Sequence, residues 1–88
     1  MLKALMYLVF LENRAKKELR RFDKNIQEKI LKNLHLLESN PFLGSKMHGE
    51  FQGYYRVKIP PLRIIYLLDI KNKIIKIRAV GFRGDIYK

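Results

Sequence analysis

The sequence predicts an α+β domain in the order strand, helix, helix, strand, strand, strand, with the helical hairpin packed on one face of a small sheet. Three observations lead there: an apolar run near the N-terminus, two stretches with apolar residues at helical spacing, and three later stretches of strand character divided by proline or polar turns. Eighty-eight residues suffice for one compact domain, 1–88, and not for two.

Residues 4–11 are nearly all apolar, and Tyr7, Val9 and Phe10 favour extended backbone, as expected of a strand covered on both sides. The run Leu2 to Leu11 has the look of a secretory signal's apolar part. It is too short to span a bilayer, however, and passes into Glu12-Asn13-Arg14 without a small-residue cleavage site, so a buried strand is the better reading. From Glu12 the period changes: Ala15, Leu19 and Phe22 recur at steps of four and three among Arg14, Lys16, Lys17, Arg20 and Arg21, which predicts a short helix with a wet basic face. Asp23 then suits the N-cap of a second helix carrying Ile26, Ile30, Leu34 and Leu37 on one stripe, ended by Ser39-Asn40-Pro41. Pro41 to Gly53 holds three glycines and little periodicity, and is expected to be a surface loop carrying Lys46 and His48 towards the hairpin that follows.

Strands are expected at about 53–59, 62–69 and 73–80. In the first, Tyr54, Arg56 and Lys58 share one face while Tyr55, Val57 and Ile59 share the other. Pro60-Pro61 turns the chain back and sets Arg63 near the mouth of the same hairpin. The second, LRIIYLLD, is apolar on both faces after Arg63 and so should be central. The third alternates Ile75, Ile77 and Ala79 against Lys76 and Arg78, adding two cations to the outer side. Gly81 and Gly84 flank Arg83 and free the backbone to turn. With this strand beside LRIIYLLD, Arg83 and Tyr87 reach the face that bears Arg56, Lys58 and Arg63.

That face gathers positive charge with no carboxylate in it, a costly arrangement tolerated where a polyanion supplies the missing charge. The formal net charge is +11, and a hydrophobic fraction of 48% marks a folded chain rather than a disordered basic tail. Residues 46–88 carry ten Lys/Arg against three Asp/Glu, compared with nine against five in residues 1–45, so the excess lies towards the C-terminal half. Nucleic acid is the commonest partner for such a surface, although an acidic protein or an anionic membrane meets the same electrostatics. The absence of cysteine excludes a disulfide framework, a thiol nucleophile and any Cys-based zinc site, and favours a cytoplasmic home.

Three segments, Gly53-Tyr54-Tyr55-Arg56-Val57-Lys58, Leu62-Arg63-Ile64-Ile65-Tyr66 and Ala79-Val80-Gly81-Phe82-Arg83-Gly84-Asp85-Ile86-Tyr87, come in an order and at separations similar to those of the RelE-like toxins of toxin–antitoxin pairs, within the RelE/ParE group. The resemblance covers almost the whole chain. It implies a toxin that enters the ribosomal A site and cuts messenger RNA without metal or other cofactor, silenced by an acidic RelB-like antitoxin. It supports Arg56, Lys58, Arg63, Arg83 and Tyr87 as catalytic positions. Lys46 on the loop and Lys76 and Arg78 on the outer face of the last strand are expected as further contacts to the substrate. The chemistry fits: cleavage by the neighbouring 2′-hydroxyl needs a base, stabilisation of a phosphorane and an acid for the leaving 5′-oxygen. Arginines suit the middle task through paired hydrogen bonds to phosphate oxygens. Lys58 is the candidate base, because guanidiniums around it disfavour its charged form. Tyr87 is placed to stack on a base or orient the 2′-hydroxyl, with Arg83 or Tyr87 as the acid. Phe82 stands where many relatives have histidine, and Gly84 where another basic residue is common.

Each feature has a plainer reading. Arg56 and Lys58 alone suit a solvated strand face. Tyr54, Tyr55 and Tyr66 suit core or rim packing. His35 and His48 suggest a two-histidine ribonuclease, but His35 lies beside an apolar stripe and His48 in a glycine-bounded loop. Two separated histidines and sparse carboxylates offer no metal-ligand cluster. From another functional class, a ParE-like inhibitor of DNA gyrase or a basic nucleic-acid binder shares the charge and needs no catalysis.

Overall fold

The computed structural model describes residues 6–84 and residue 86. It has the order β1 (Leu8–Leu11), α1 (Asn13–Arg21), α2 (Lys24–Ser39), β2 (Ser45–Lys46), a 3₁₀ turn (Gly49–Phe51), β3 (Tyr54–Ile59), β4 (Leu62–Asp69) and β5 (Ile74–Phe82). The five strands form one mixed sheet in the order β1-β5-β4-β3-β2. β4 is central, as its two apolar faces require. β1 pairs parallel to β5, whereas β5, β4, β3 and β2 are joined antiparallel. A parallel neighbour needs a crossover, which the two helices supply by crossing a single face of the sheet.

α1 and α2 meet at Phe22-Asp23. The Asp23 carboxylate accepts the Ile26 N–H at 3.0 Å and caps α2, and the Gln27 side chain donates to the Leu19 and Phe22 carbonyls at 3.0 Å each, holding the end of α1 onto the start of α2. Ala15, Ile30, Leu34 and Leu37 bury their stripe against Val57, Leu62, Ile64, Tyr66, Ile75, Ile77 and Val80. Hence one face of every long strand is core, and the opposite face is left for function.

Three expectations need correction. The first strand was expected over 4–11 and buried on both sides; it runs from Leu8 to Leu11, and residues 4 and 5 lie outside the described residues. Because β1 is an edge strand under the helices, Val9 and Leu11 pack on the core, whereas Leu8 and Phe10 are 67% and 51% exposed on the uncovered side. The stretch 41–53, read as loop, holds β2, a two-residue edge strand whose Ser45 and Lys46 pair with Arg56 and Tyr55. Two residues are too few to show a period. Finally, β5 runs to Phe82 rather than stopping at 80, and it does not keep Ile75, Ile77 and Ala79 on one face. Ile65 pairs with Ala79 but Tyr66 with Ile77, so Arg78 is one residue too many for the ladder, a β-bulge. The bulge turns Ala79 outward, where it packs with Ile65 and Ile86, flanked by Met47 and Tyr54. The outer side therefore contains a second, small apolar cluster as well as its cations.

Candidate anion-binding site

β3 and β4 set the first three cations by register. Lys58 lies opposite Arg63, and Arg56 opposite Ile65, so Arg56 and Arg63 are diagonal neighbours on the outer face. On its other side Arg63 pairs with Gly81, which brings no side chain and has open space where a Cβ would stand. The chain turns after β5 at Arg83 and Gly84. Ile86 then folds back into the outer apolar cluster, its N–H donating to the Phe82 carbonyl at 3.1 Å. Arg14 on α1 donates from Nη2 to the Ile86 carbonyl at 2.8 Å and from Nε to Glu18 at 2.9 Å. Glu18 uses its other oxygen to accept the Val80 N–H at 2.9 Å, beyond the point where β1 ends. One helix thus ties down the backbone on both sides of Arg83.

The fourth wall comes from the segment after α2. The buried Tyr66 hydroxyl donates to the Pro41 carbonyl at 2.8 Å and accepts the Gly44 N–H at 2.9 Å. Gly44 approaches so closely that a Cβ there would lie 2.8 Å from both the Arg56 carbonyl oxygen and the Tyr66 hydroxyl. β2 follows at once, and the Met47 N–H continues the ladder to the Tyr54 carbonyl at 2.9 Å.

Together these elements enclose an open cleft of about 590 Å³ lined by Lys46, Met47, His48, Arg56, Arg63, Arg83 and Gly84. Three arginines, a lysine and a histidine line it, and no carboxylate does so among the described residues. Arg56 Nε is fully buried and has no hydrogen-bond partner. An unmet buried donor costs about 1–3 kcal/mol, and it lies on a side chain already poised for an anion. Such a cleft can hold a phosphodiester by charge-assisted, paired hydrogen bonds.

Of the other sequence candidates, Lys58 is exposed beside Arg63 and is not among the residues lining the cleft. Lys76 pairs with Leu67, four residues along β4 from Arg63, or about 14 Å at ~3.4 Å per residue, and lines a hollow with Asp69, Ile70 and Lys71. Arg78, on the bulge, donates to Glu12 at 3.1 Å, and that hydrogen bond holds its guanidinium above the usual range. Tyr87 lies outside the described residues. His35 is exposed on α2, 3.0 Å from Glu38, and does not share the cleft with His48. No group of three or more metal-ligating side chains occurs among the described residues, and none of the described helices is long and apolar enough to cross a membrane. Sequence reasoning gave no weight to Met47 and Gly84 as walls, or to Arg14, Glu18 and Tyr66 as supports. The only prior signal was a lysine and a histidine two apart between glycines.

The family model described as "ParE toxin of type II toxin-antitoxin system, parDE" matches residues 9–87. Among solved structures, the chain is similar to the RelBE2 toxin–antitoxin complex of Mycobacterium tuberculosis, with 20% identity, TM-score 0.83, and coverage of 89% of this chain and 99% of that one. It is also similar to the isolated RelE toxin of E. coli, at 23% identity and TM-score 0.77 over 92% and 90% of the two chains. The RelE–RelB complex of Pyrococcus horikoshii matches at 25% identity and TM-score 0.73 over 91% and 98%. No curated protein matches by sequence.

Proposed function

The chain belongs to the family of ParE toxins of type II toxin–antitoxin systems, in the RelE/ParE superfamily, and from that premise we propose that it acts as a ribosome-dependent messenger RNA endonuclease. One observation carries the reading: Arg56, Arg63 and Arg83, from three separate segments, line one open cleft with no carboxylate among its described lining. A phosphorane bears more negative charge than the phosphodiester it comes from, so fixed guanidiniums hold the transition state more tightly than the substrate. Lys46 extends the cationic wall, and Lys58 flanks Arg63 on the ladder. Tyr87 is proposed to stack on or orient the nucleotide, following the resemblance of the C-terminal segment. Lys76 and Arg78 are assigned at most peripheral contacts with RNA, given their distance or their engagement with Glu12.

The toxin works in the cytoplasm, on messenger RNA in the ribosomal A site, and its silencer is an acidic RelB-like antitoxin. The net charge of +11 and the exposed Leu8 and Phe10 of β1 support a partner that is acidic and amphipathic. RelE–RelB complexes have been solved for similar folds.

A second reading, a gyrase-directed toxin, is favoured by the family match to ParE toxins. Induction of the chain in cells followed by mapping of messenger RNA 5′ ends separates the two. Cuts within translated codons support the nuclease; DNA damage with intact messages supports the gyrase inhibitor. Arg83→Ala should abolish toxicity while the protein still binds its antitoxin, and an equally toxic variant would remove Arg83 from the mechanism.

A further inference from the structure

Resting on the nuclease reading, we propose that His48 is the general base, the group that takes the proton from the attacking 2′-hydroxyl. A cleft built of guanidiniums can hold a phosphorane but cannot accept a proton, because arginine stays charged in proteins, and a lysine amine is ordinarily charged at neutral pH. An imidazole ordinarily has a free lone pair there. Among the described residues lining the cleft, His48 is the side chain of that kind. It faces Lys46 from β2, Arg56 from β3, Arg63 from β4 and Arg83 from the turn after β5, all cationic; Glu50, two residues on, lines a separate hollow with Arg14 and Arg78.

The backbone holds His48 at the lip from both sides. Before it, the Met47 N–H donates to Tyr54 and the Met47 side chain packs on the cluster of Ile65, Ala79 and Ile86. After it, the His48 carbonyl accepts the Phe51 N–H at 3.3 Å, and Gly49 takes a φ of +67°, open to glycine at little cost. His48 itself is exposed, as are Lys46 and Arg83, so it is the backbone that sets where the imidazole stands relative to the cations.

In the step, a ring nitrogen of His48 accepts the 2′ proton while O2′ forms its bond to phosphorus. The P–O5′ bond breaks and the departing O5′ takes a proton from water. A 2′,3′-cyclic phosphate and a 5′-hydroxyl result, and the imidazolium returns its proton to solvent. This places the base on His48 rather than on Lys58, which is exposed outside the cleft lining.

The test is single-turnover cleavage of a defined message on programmed ribosomes from about pH 5.5 to 9, by the wild type, His48→Gln, His48→Gly and Lys58→Met. The wild type should show an acid limb that falls about tenfold per pH unit, and His48→Gln should be at least about 100-fold slower without that limb. Added imidazole should restore cleavage by His48→Gly, a response that a merely structural or electrostatic role does not give. His48→Gln cleaving within about threefold of wild type with the same profile overturns the assignment. So does a limb abolished by Lys58→Met instead, or His48→Gly that is slow and unmoved by imidazole. Antitoxin capture of each variant checks folding. A wild type that captures antitoxin yet cuts no ribosome-bound message overturns the nuclease reading itself, and this assignment with it.

Discussion

Removing one oxygen atom, in Tyr66→Phe, should loosen the cleft from a point beneath it. The Tyr66 hydroxyl is buried and is the shared partner of the Pro41 carbonyl and the Gly44 N–H, at 2.8 and 2.9 Å. Phenylalanine keeps the ring, its stacking on Tyr55 at 5.4 Å and its place in the core, so the loss is confined to those two hydrogen bonds. An orphaned buried group costs about 1–3 kcal/mol. Gly44 is only half-buried and regains part of its bond from water, so the sum should stay at about 2 kcal/mol, or roughly 8–16 °C in Tm for a chain of this size. Urea and thermal unfolding of the purified chain measure it.

The pH dependence gives an internal check. Burial raises the Tyr66 pKa above its ordinary value, only partly offset by the Gly44 hydrogen bond. The unfolded chain therefore releases this proton first, at about pH 10, and the folded chain keeps it. The wild type's stability advantage over Tyr66→Phe should be full below pH 10 and should shrink as pH rises from there towards the folded value. A Tm within about 2 °C of wild type, or an advantage that grows above pH 10, refutes the reasoning.

Gly44→Ala should lower stability by about 1–3 kcal/mol through overpacking, since its Cβ meets the Arg56 carbonyl and the Tyr66 hydroxyl at 2.8 Å; denaturant unfolding measures it. Glu18→Ala leaves the Val80 N–H without its carboxylate and Arg14 without its brace, and charge-assisted bonds of this kind carry about 1.5–3 kcal/mol each. Its unfolding midpoint should fall accordingly, with faster amide exchange at Val80 and Ile86. Arg63→Ala should slow cleavage more than about 100-fold, whereas Lys76→Ala, about 14 Å along the strand at ~3.4 Å per residue, should slow it less than about threefold in the same assay.

The order of the longer elements, the helix stripes, the Asp23 cap and the central position of β4 were legible in the chain, because each rests on local periodicity or local capping, whereas the two-residue β2 was not. Strand alternation likewise placed Arg56 and Lys58 on one face and Tyr55, Val57 and Ile59 on the other, with the latter three on the core side. Such properties belong to short windows and survive whatever the rest of the molecule does.

Other features depend on which segments become neighbours. The apolar residues of β1 look buried in sequence, yet an edge strand under helices covers only one of its faces, and Leu8 and Phe10 remain exposed. No window predicts the bulge at Arg78, which arises from pairing β5 with β4 and turns Ala79 outward. The cleft is of the same kind: His48 becomes its neighbour through a two-residue strand, a buried tyrosine hydroxyl and a glycine without room for a Cβ. Which residues carry charge or an apolar side chain is written locally; which charges share a cleft, and that an imidazole stands among them, follows from contacts between residues far apart in the chain.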